Sequence, residues 1–155
     1  MGRIQRRVAY IIRPGLYEEA GAIKRVAVQH PYTAHFGHPA YCNRERFAAG
    51  QNIVAFLTGN NTGDVAGFAC IRHKVRKPET EIDIIGVAEV LRSAGCGKAI
   101  LDYIKSISPH QRLTLDVLED NERARAFYSR YGFIEIGTKV LSKGTAIRME
   151  YTWQK

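Results

Sequence analysis

Val8-Ala9-Tyr10-Ile11-Ile12-Arg13 is a β-rich run that stops at Pro14-Gly15, and from Tyr17 to His30 the apolar period changes, with Ala20, Ile23, Val26 and Ala27 at helical spacing. This predicts a strand and then an amphipathic helix, which Pro31 ends. Residues 32–50 mix histidines and aromatics, and Asn43-Arg44-Glu45-Arg46 predicts the start of a second short helix. Asn52 to Thr58 and Asp64 to His73 read as strands joined by the hairpin composition Gly59-Asn60-Asn61-Thr62-Gly63. After a polar connector, Lys74 to Thr80, a long β-branched strand runs from Glu81 to Val90. A helix follows with Ile100, Leu101 and Ile104 on one face, ending near Ser108-Pro109. Arg112 to Leu118 is a strand, Asn121 to Arg130 a helix stopped by Gly132, and Phe133 to Gly137 and Thr145 to Thr152 are the last strands. The order β-α-α-β-β-β-α-β-α-β-β, with no repeat and no linker, predicts one α/β (α+β) domain over residues 1–155.

Composition narrows the class. With 155 residues, 45% hydrophobic and 25% charged, the chain is long enough for one substantial core and ordinary for a folded soluble protein. No apolar run approaches the roughly eighteen residues needed to span a bilayer. Met1-Gly2-Arg3-Ile4-Gln5-Arg6 has neither a signal-type apolar segment nor the myristoylation pattern, so the expected location is the cytoplasm. Cys42, Cys70 and Cys96 are odd in number and lack paired spacing, which fits a reducing compartment. A net charge of +8 favours anionic partners, nucleic acid among them, and equally serves solubility.

The chemistry concentrates where the long strand meets the helix, at Arg92-Ser93-Ala94-Gly95-Cys96-Gly97-Lys98. Glycines let backbone approach a ligand, and a helix start directs unpaired N–H groups and the positive dipole end outward, a setting for phosphate or pyrophosphate. About thirty residues on stands Asn121-Glu122-Arg123-Ala124-Arg125-Ala126-Phe127-Tyr128-Ser129-Arg130-Tyr131-Gly132-Phe133. The two motifs in this order and spacing resemble the GNAT family of acetyl-CoA-dependent N-acetyltransferases, and the element order matches along nearly the whole chain.

The resemblance implies the GNAT fold: a central mixed, mostly antiparallel sheet of six to seven strands, splayed at the fourth and flanked by about four helices. It implies that Arg92, Ala94, Gly95, Cys96, Gly97 and Lys98 cradle the pyrophosphate of acetyl-CoA, and that Ile85, Gly86 and Val87 face pantetheine and the acetyl carbonyl, with the Val87 N–H as oxyanion donor. Asn121, a natural N-cap, would also lie near pantetheine. Tyr128 matches the tyrosine commonly assigned as the acid for the departing thiolate, and its ordinary pKa of roughly 10 keeps the proton on at neutral pH. Glu81, eleven residues before Arg92, stands where the histone-acetylating branch carries its general base, and Asp83 should share its sheet face; a water chain is the alternative. The sequence departs from the family at Glu89, where proline is common, and at Cys96, where an aliphatic residue is usual.

In the family the segment between first helix and second strand shapes the acceptor pocket. Here Tyr32, His35, Phe36 and Tyr41 are the expected substrate-lining residues, and the scarcity of acids among them argues against a polyamine. His30, His35, His38 and Cys42 match no metal pattern, so no metal is expected. Cys96, at a helix start but without a histidine partner, is expected to pack rather than react. The implied activity is direct acetyl transfer from acetyl-CoA to the primary amine of an unidentified acceptor. A nucleic-acid-directed enzyme of the same fold is the alternative, acetylating an aminoacyl-tRNA or modifying a base, with Arg3, Arg6, Arg7, Arg44, Arg46, Lys74, Arg76 and Lys77 as phosphate contacts. A non-catalytic CoA-binding module is another. An edge strand near the C-terminus could pair two copies as a homodimer.

Overall fold

Alternation along the strands decides which side of the sheet each helix covers. In β2 (Asn52–Leu57), Ile53 and Ala55 belong to one buried cluster while Val54 and Phe56 belong to the other. In β3 (Gly67–His73), Ala69 and Ile71 face the first cluster and Phe68 and Cys70 the second. A two-faced apolar sheet needs helices on both sides. The computed structural model, which describes residues 9–59 and 63–154, supplies them. On one face α1 (Ala20–Ala27), a 3-10 turn Ala34–Gly37 and α2 (Arg44–Ala48) bury Ile23, Val26, Phe36 and Phe47. On the other, α3 (Cys96–Ile107) buries Ile100, Leu101 and Ile104 beside Tyr128 of α4 (Glu122–Tyr131).

The seven strands run β1-β2-β3-β4-β5-β7-β6 across the sheet, with β1 at Tyr10–Pro14, β4 at Thr80–Val87, β5 at Arg112–Leu118, β6 at Ile134–Leu141 and β7 at Gly144–Thr152. Every pairing is antiparallel except β4 with β5. Element order, sheet type and helix count match the expected GNAT fold.

Several boundaries differ from the sequence reading, among them the start of β3, at Gly67 instead of Asp64, and the end of α1, at Ala27 instead of His30. β4 ends at Val87 because Ala88 donates to the Ala66 carbonyl at 2.8 Å and the chain turns into a 3-10 turn, Glu89–Leu91. β6 extends to Leu141 because pairing with β7 continues to the hairpin end, Leu141↔Gly144. The first helix opens as a separate 3-10 turn, Tyr17–Glu19. Val8, Asn60-Asn61-Thr62 and the cationic positions Arg3, Arg6 and Arg7 lie outside the described residues.

Phe36 requires a correction. Expected to line the acceptor pocket, it is 0% exposed and tilts against Phe68, with ring centroids 5.1 Å apart. It anchors the connection after α1 to the sheet. Phe36→Ala is therefore expected to cost about 3–5 kcal/mol of folding stability, read from chemical denaturation midpoints.

Candidate active site

Two strands that part company create the site. β4 and β5 pair over Thr80↔Leu113, Glu81↔Thr114 and Ile82↔Leu115 only. Beyond Ile82, β4 continues along β3 to Val87 while β5 continues along β7 to Leu118. Asp83 marks the parting: the β3–β4 register passes from Ile71↔Ile82 to Cys70↔Ile84, leaving Asp83 as the extra residue of a bulge, which bends the strand. Because the Ala88 N–H faces β3, strand alternation turns the Val87 N–H the other way, into the opening.

On the α3–α4 side the opening is a cavity of about 440 Å³ that includes Ile85, Gly86 and Val87 and the Gly-rich turn. Gly95 caps α3 in the left-handed region, φ +86°, and no side chain caps the helix there, so its first N–H groups are left for a ligand. Gly97 has a different reason to be glycine. A Cβ there would stand 2.9 Å from the Phe127 ring, so the residue permits close contact of α3 with α4. Cys96 is buried and its thiol is pushed up to about 12 by desolvation, which makes it inert as a nucleophile near neutrality. Lys98 is tied to Asp102 at 2.9 Å. Ala94 is held from behind, its carbonyl accepting the Tyr10 hydroxyl at 3.0 Å.

Of the expected residues on this side, Ile85, Gly86, Val87, Arg92, Gly95, Cys96, Gly97, Lys98, Asn121 and Tyr128 all line the cavity. Asn121 also caps α4, its side chain accepting from the Ala124 N–H at 3.3 Å. Sequence reasoning missed His30 and Arg123, which share this wall. Desolvation, Arg123 and then the opposing effect of Glu89 leave Arg92 below its ordinary pKa, so two guanidinium groups crowd where an anion would relieve them. The position of Arg123, two residues past the N-cap, was the available signal.

On the α1–α2 side of the sheet lies a second cavity, about 580 Å³. Tyr32, His35 and Tyr41 line it as expected, His35 and Tyr41 meeting edge to face with centroids 5.3 Å apart. Glu81 and Asp83 also reach it, on one face as expected, and Arg72 bridges them at 3.7 and 2.8 Å. Asp83 is further bound by Arg46 at 2.8 Å. Glu81 pairs with Lys74 and, at 3.3 Å, with Arg148; burial raises its pKa, but Lys74 and Arg148 outweigh that and hold the carboxyl below its usual range. Arg46 and Lys74 are thus internal counter-ions, which corrects their assignment to phosphate contact, and Arg44 stacks on Tyr17 at 4.3 Å. His30 and His35 line different cavities.

Burial raises the pKa of Glu79, almost wholly enclosed beside Lys74, Arg112 and Arg148, but Lys74 and Arg148 outweigh it and hold this carboxyl too below its ordinary value. A carboxylate whose folded pKa is depressed contributes stability above its unfolded pKa, about 4.3, and loses it as pH falls through the folded value. The melting temperature is therefore expected to fall on acidification below about pH 4.3, and to fall less steeply in Glu81→Gln.

Both cavities share Tyr32, Thr33, Ile85, Asn121, Ala124 and Tyr128. Tyr128 is 9% exposed, and its hydroxyl makes no hydrogen bond among the described residues. Burial pushes its pKa upward, so the phenol stays protonated. A protonated phenol thus stands where the two cavities meet.

Residues 13–133 match the Acetyltransferase (GNAT) family. The chain belongs to the GNAT acetyltransferase family. It is 38% identical over 141 residues, 91% of this chain and 99% of the relative, to the 5-NmdU N-acetyltransferase of Pseudomonas phage PaMx11. In architecture it superposes on a GNAT acetyltransferase from Bacillus cereus with a TM-score of 0.76 at 17% identity, covering 95% of this chain and 99% of the other. A PaiA N-acetyltransferase from Thermoplasma acidophilum, solved in complex with coenzyme A, superposes with a TM-score of 0.74 at 17% identity, covering 94% and 99%.

As a GNAT enzyme the chain is an acetyl-CoA-dependent N-acetyltransferase. The cavity beside the Gly-rich turn suits that substrate. An uncapped helix start and crowded arginines fit phosphates, and the unpaired edge of β4 offers backbone groups to an amide-bearing arm.

Proposed function

We propose that the enzyme transfers acetyl directly to a primary amine carried on a modified deoxyuridine, the acceptor class of its phage relative. The observation that carries this is the 38% identity spanning 99% of that 5-NmdU N-acetyltransferase. The acceptor cavity supports it, since Tyr32, His35 and Tyr41 offer flat faces suited to a base.

In the proposed reaction, Arg92, Gly95, Cys96, Gly97 and Lys98 hold the donor's pyrophosphate, with Ala94 fixing the loop through Tyr10. Ile85, Gly86 and Val87 align the pantetheine arm, and Asn121 stands beside it. The Val87 N–H faces the developing oxyanion. The Tyr128 phenol holds its proton more tightly than a thiol of pKa about 8.5, so its part is a hydrogen bond to the departing sulfur, completed by the proton the amine gives up.

Glu81 and Asp83 are held by Arg72, Lys74, Arg46 and Arg148 at the inner end of the acceptor cavity, while deprotonation runs through water in the open cavity. Glu81→Gln separates this from direct base catalysis: the acid limb of the kcat/KM pH profile should persist, whereas a direct base would lose it.

The test of the acceptor is incubation of acetyl-CoA and enzyme with 5-NmdU nucleoside and, separately, with an alanine-terminated peptide. Mass spectrometry should show acetylated 5-NmdU with equimolar free thiol. Acetylation of the peptide alone would refute the proposal.

A further inference from the structure

Two protons must leave an ammonium that is to be acetylated, one before attack to free the lone pair and one after it. The second goes to the departing sulfur, as proposed above; the first needs an acceptor of its own. Among the residues lining the acceptor cavity, Glu81, Asp83 and Asp116 are each held by Arg72, Lys74, Arg46 or Arg148. Ammonium, guanidinium and phenol groups keep their own protons near neutrality. That leaves one imidazole on the lining, His35. It stands half-buried in the 3-10 turn Ala34–Gly37, which its neighbour Phe36 fixes to the sheet. Its ring meets Tyr41 edge to face, and its nitrogens have no hydrogen-bond partner among the described residues. His38 differs, being exposed and outside the cavity lining, with its Nδ1 accepting the Ala40 N–H at 3.0 Å.

Resting on the acceptor reading above, we infer that His35 takes the first proton from the acceptor's ammonium, through water in the cavity. The freed lone pair forms the N–C bond and the C–S bond breaks. The second nitrogen proton goes to the thiolate, and His35 returns its proton to solvent, so one proton is released per turnover. The charges around the ring suit this cycle. Burial, and then Lys143 on the β6–β7 hairpin, lower its pKa; Asp83 on β4 opposes them, and His38 on the same loop adds to them. The imidazole is therefore neutral when the substrate arrives, and a carboxylate within electrostatic reach favours the imidazolium once it forms.

The experiment is the pH dependence of kcat/KM with acetyl-CoA and 5-NmdU nucleoside, in wild type, His35→Gln, His38→Gln and Lys143→Glu. A base acting on the bound ammonium gives a wild-type profile that rises with unit slope to the base's own pKa, below histidine's ordinary value of about 6.5. From there it should stay level up to the pKa of the amine, about 10. His35→Gln should lose that plateau and climb with unit slope toward the amine's pKa, about a hundredfold below wild type near neutrality and close to it at the top. Lys143→Glu should move the wild-type limb to higher pH, and His38→Gln should leave it in place. A wild-type profile without a plateau, a constant deficit of His35→Gln at every pH, a limb lost in His38→Gln, or a limb unmoved in Lys143→Glu overturns the inference and leaves the acceptor reading intact. No acetylation of 5-NmdU at any pH, by enzyme that acetylates an alanine-terminated peptide, overturns the acceptor reading itself and this inference with it.

Discussion

Tyr128→Phe is expected to lower kcat about a hundredfold while changing acetyl-CoA affinity less than about threefold, in line with the loss of one positioned donor in a transition state. The argument is positional. Tyr128 is shared by the donor and acceptor cavities, is nearly enclosed, and offers a hydroxyl with no competing partner among the described residues. Removing only the oxygen keeps the ring against Phe127 and Phe133, whose centroids lie 5.3 and 5.5 Å away, so folding should be untouched. The deficit should be smaller for an acyl donor whose leaving group is more acidic than a thiol, because such a group needs less help to depart. Unchanged turnover would remove Tyr128 from the mechanism.

Gly95→Asp should weaken acetyl-CoA binding by about a hundredfold in calorimetric titration. Two effects combine. The residue sits at φ +86°, which strains a side chain, and the new carboxylate would stand at the helix start where the pyrophosphate is proposed to bind. Space is not the obstacle, since a Cβ at Gly95 would meet nothing within 4 Å. Gly95→Asn tolerates the same conformation without the charge, so it should retain most of the affinity lost in Gly95→Asp. Equal losses in both variants would place the effect in the backbone rather than in anion recognition.

What the chain disclosed before folding was what periodicity and local chemistry can carry. β5 falls on the expected Arg112–Leu118, and Ile100, Leu101 and Ile104 share the buried face that their spacing indicates. The Gly-rich turn and the asparagine-to-tyrosine segment were legible because each function is local to a few neighbours. What failed depended on partners distant in sequence. Phe36 reads as a pocket aromatic until Phe68 is seen behind it, and Arg46 reads as a free cation until Asp83, thirty-seven positions later, binds it. Gly97 lines the donor cavity, but the tight contact with Phe127 that it permits was not visible in the motif. Lys139 and Lys143 stood in no motif, and only the lengthened β6–β7 hairpin brings them over the acceptor groove.

Direct transfer between two cavities that meet at Tyr128 is the core of this account, and initial-rate kinetics with acetyl-CoA and 5-NmdU varied together test it most directly. Intersecting double-reciprocal lines, with no acetyl group retained on the protein, are the expected result because both substrates must be bound at once. Parallel lines with an isolable acetylated protein would contradict it, by showing that the acetyl group passes first to a side chain of the enzyme.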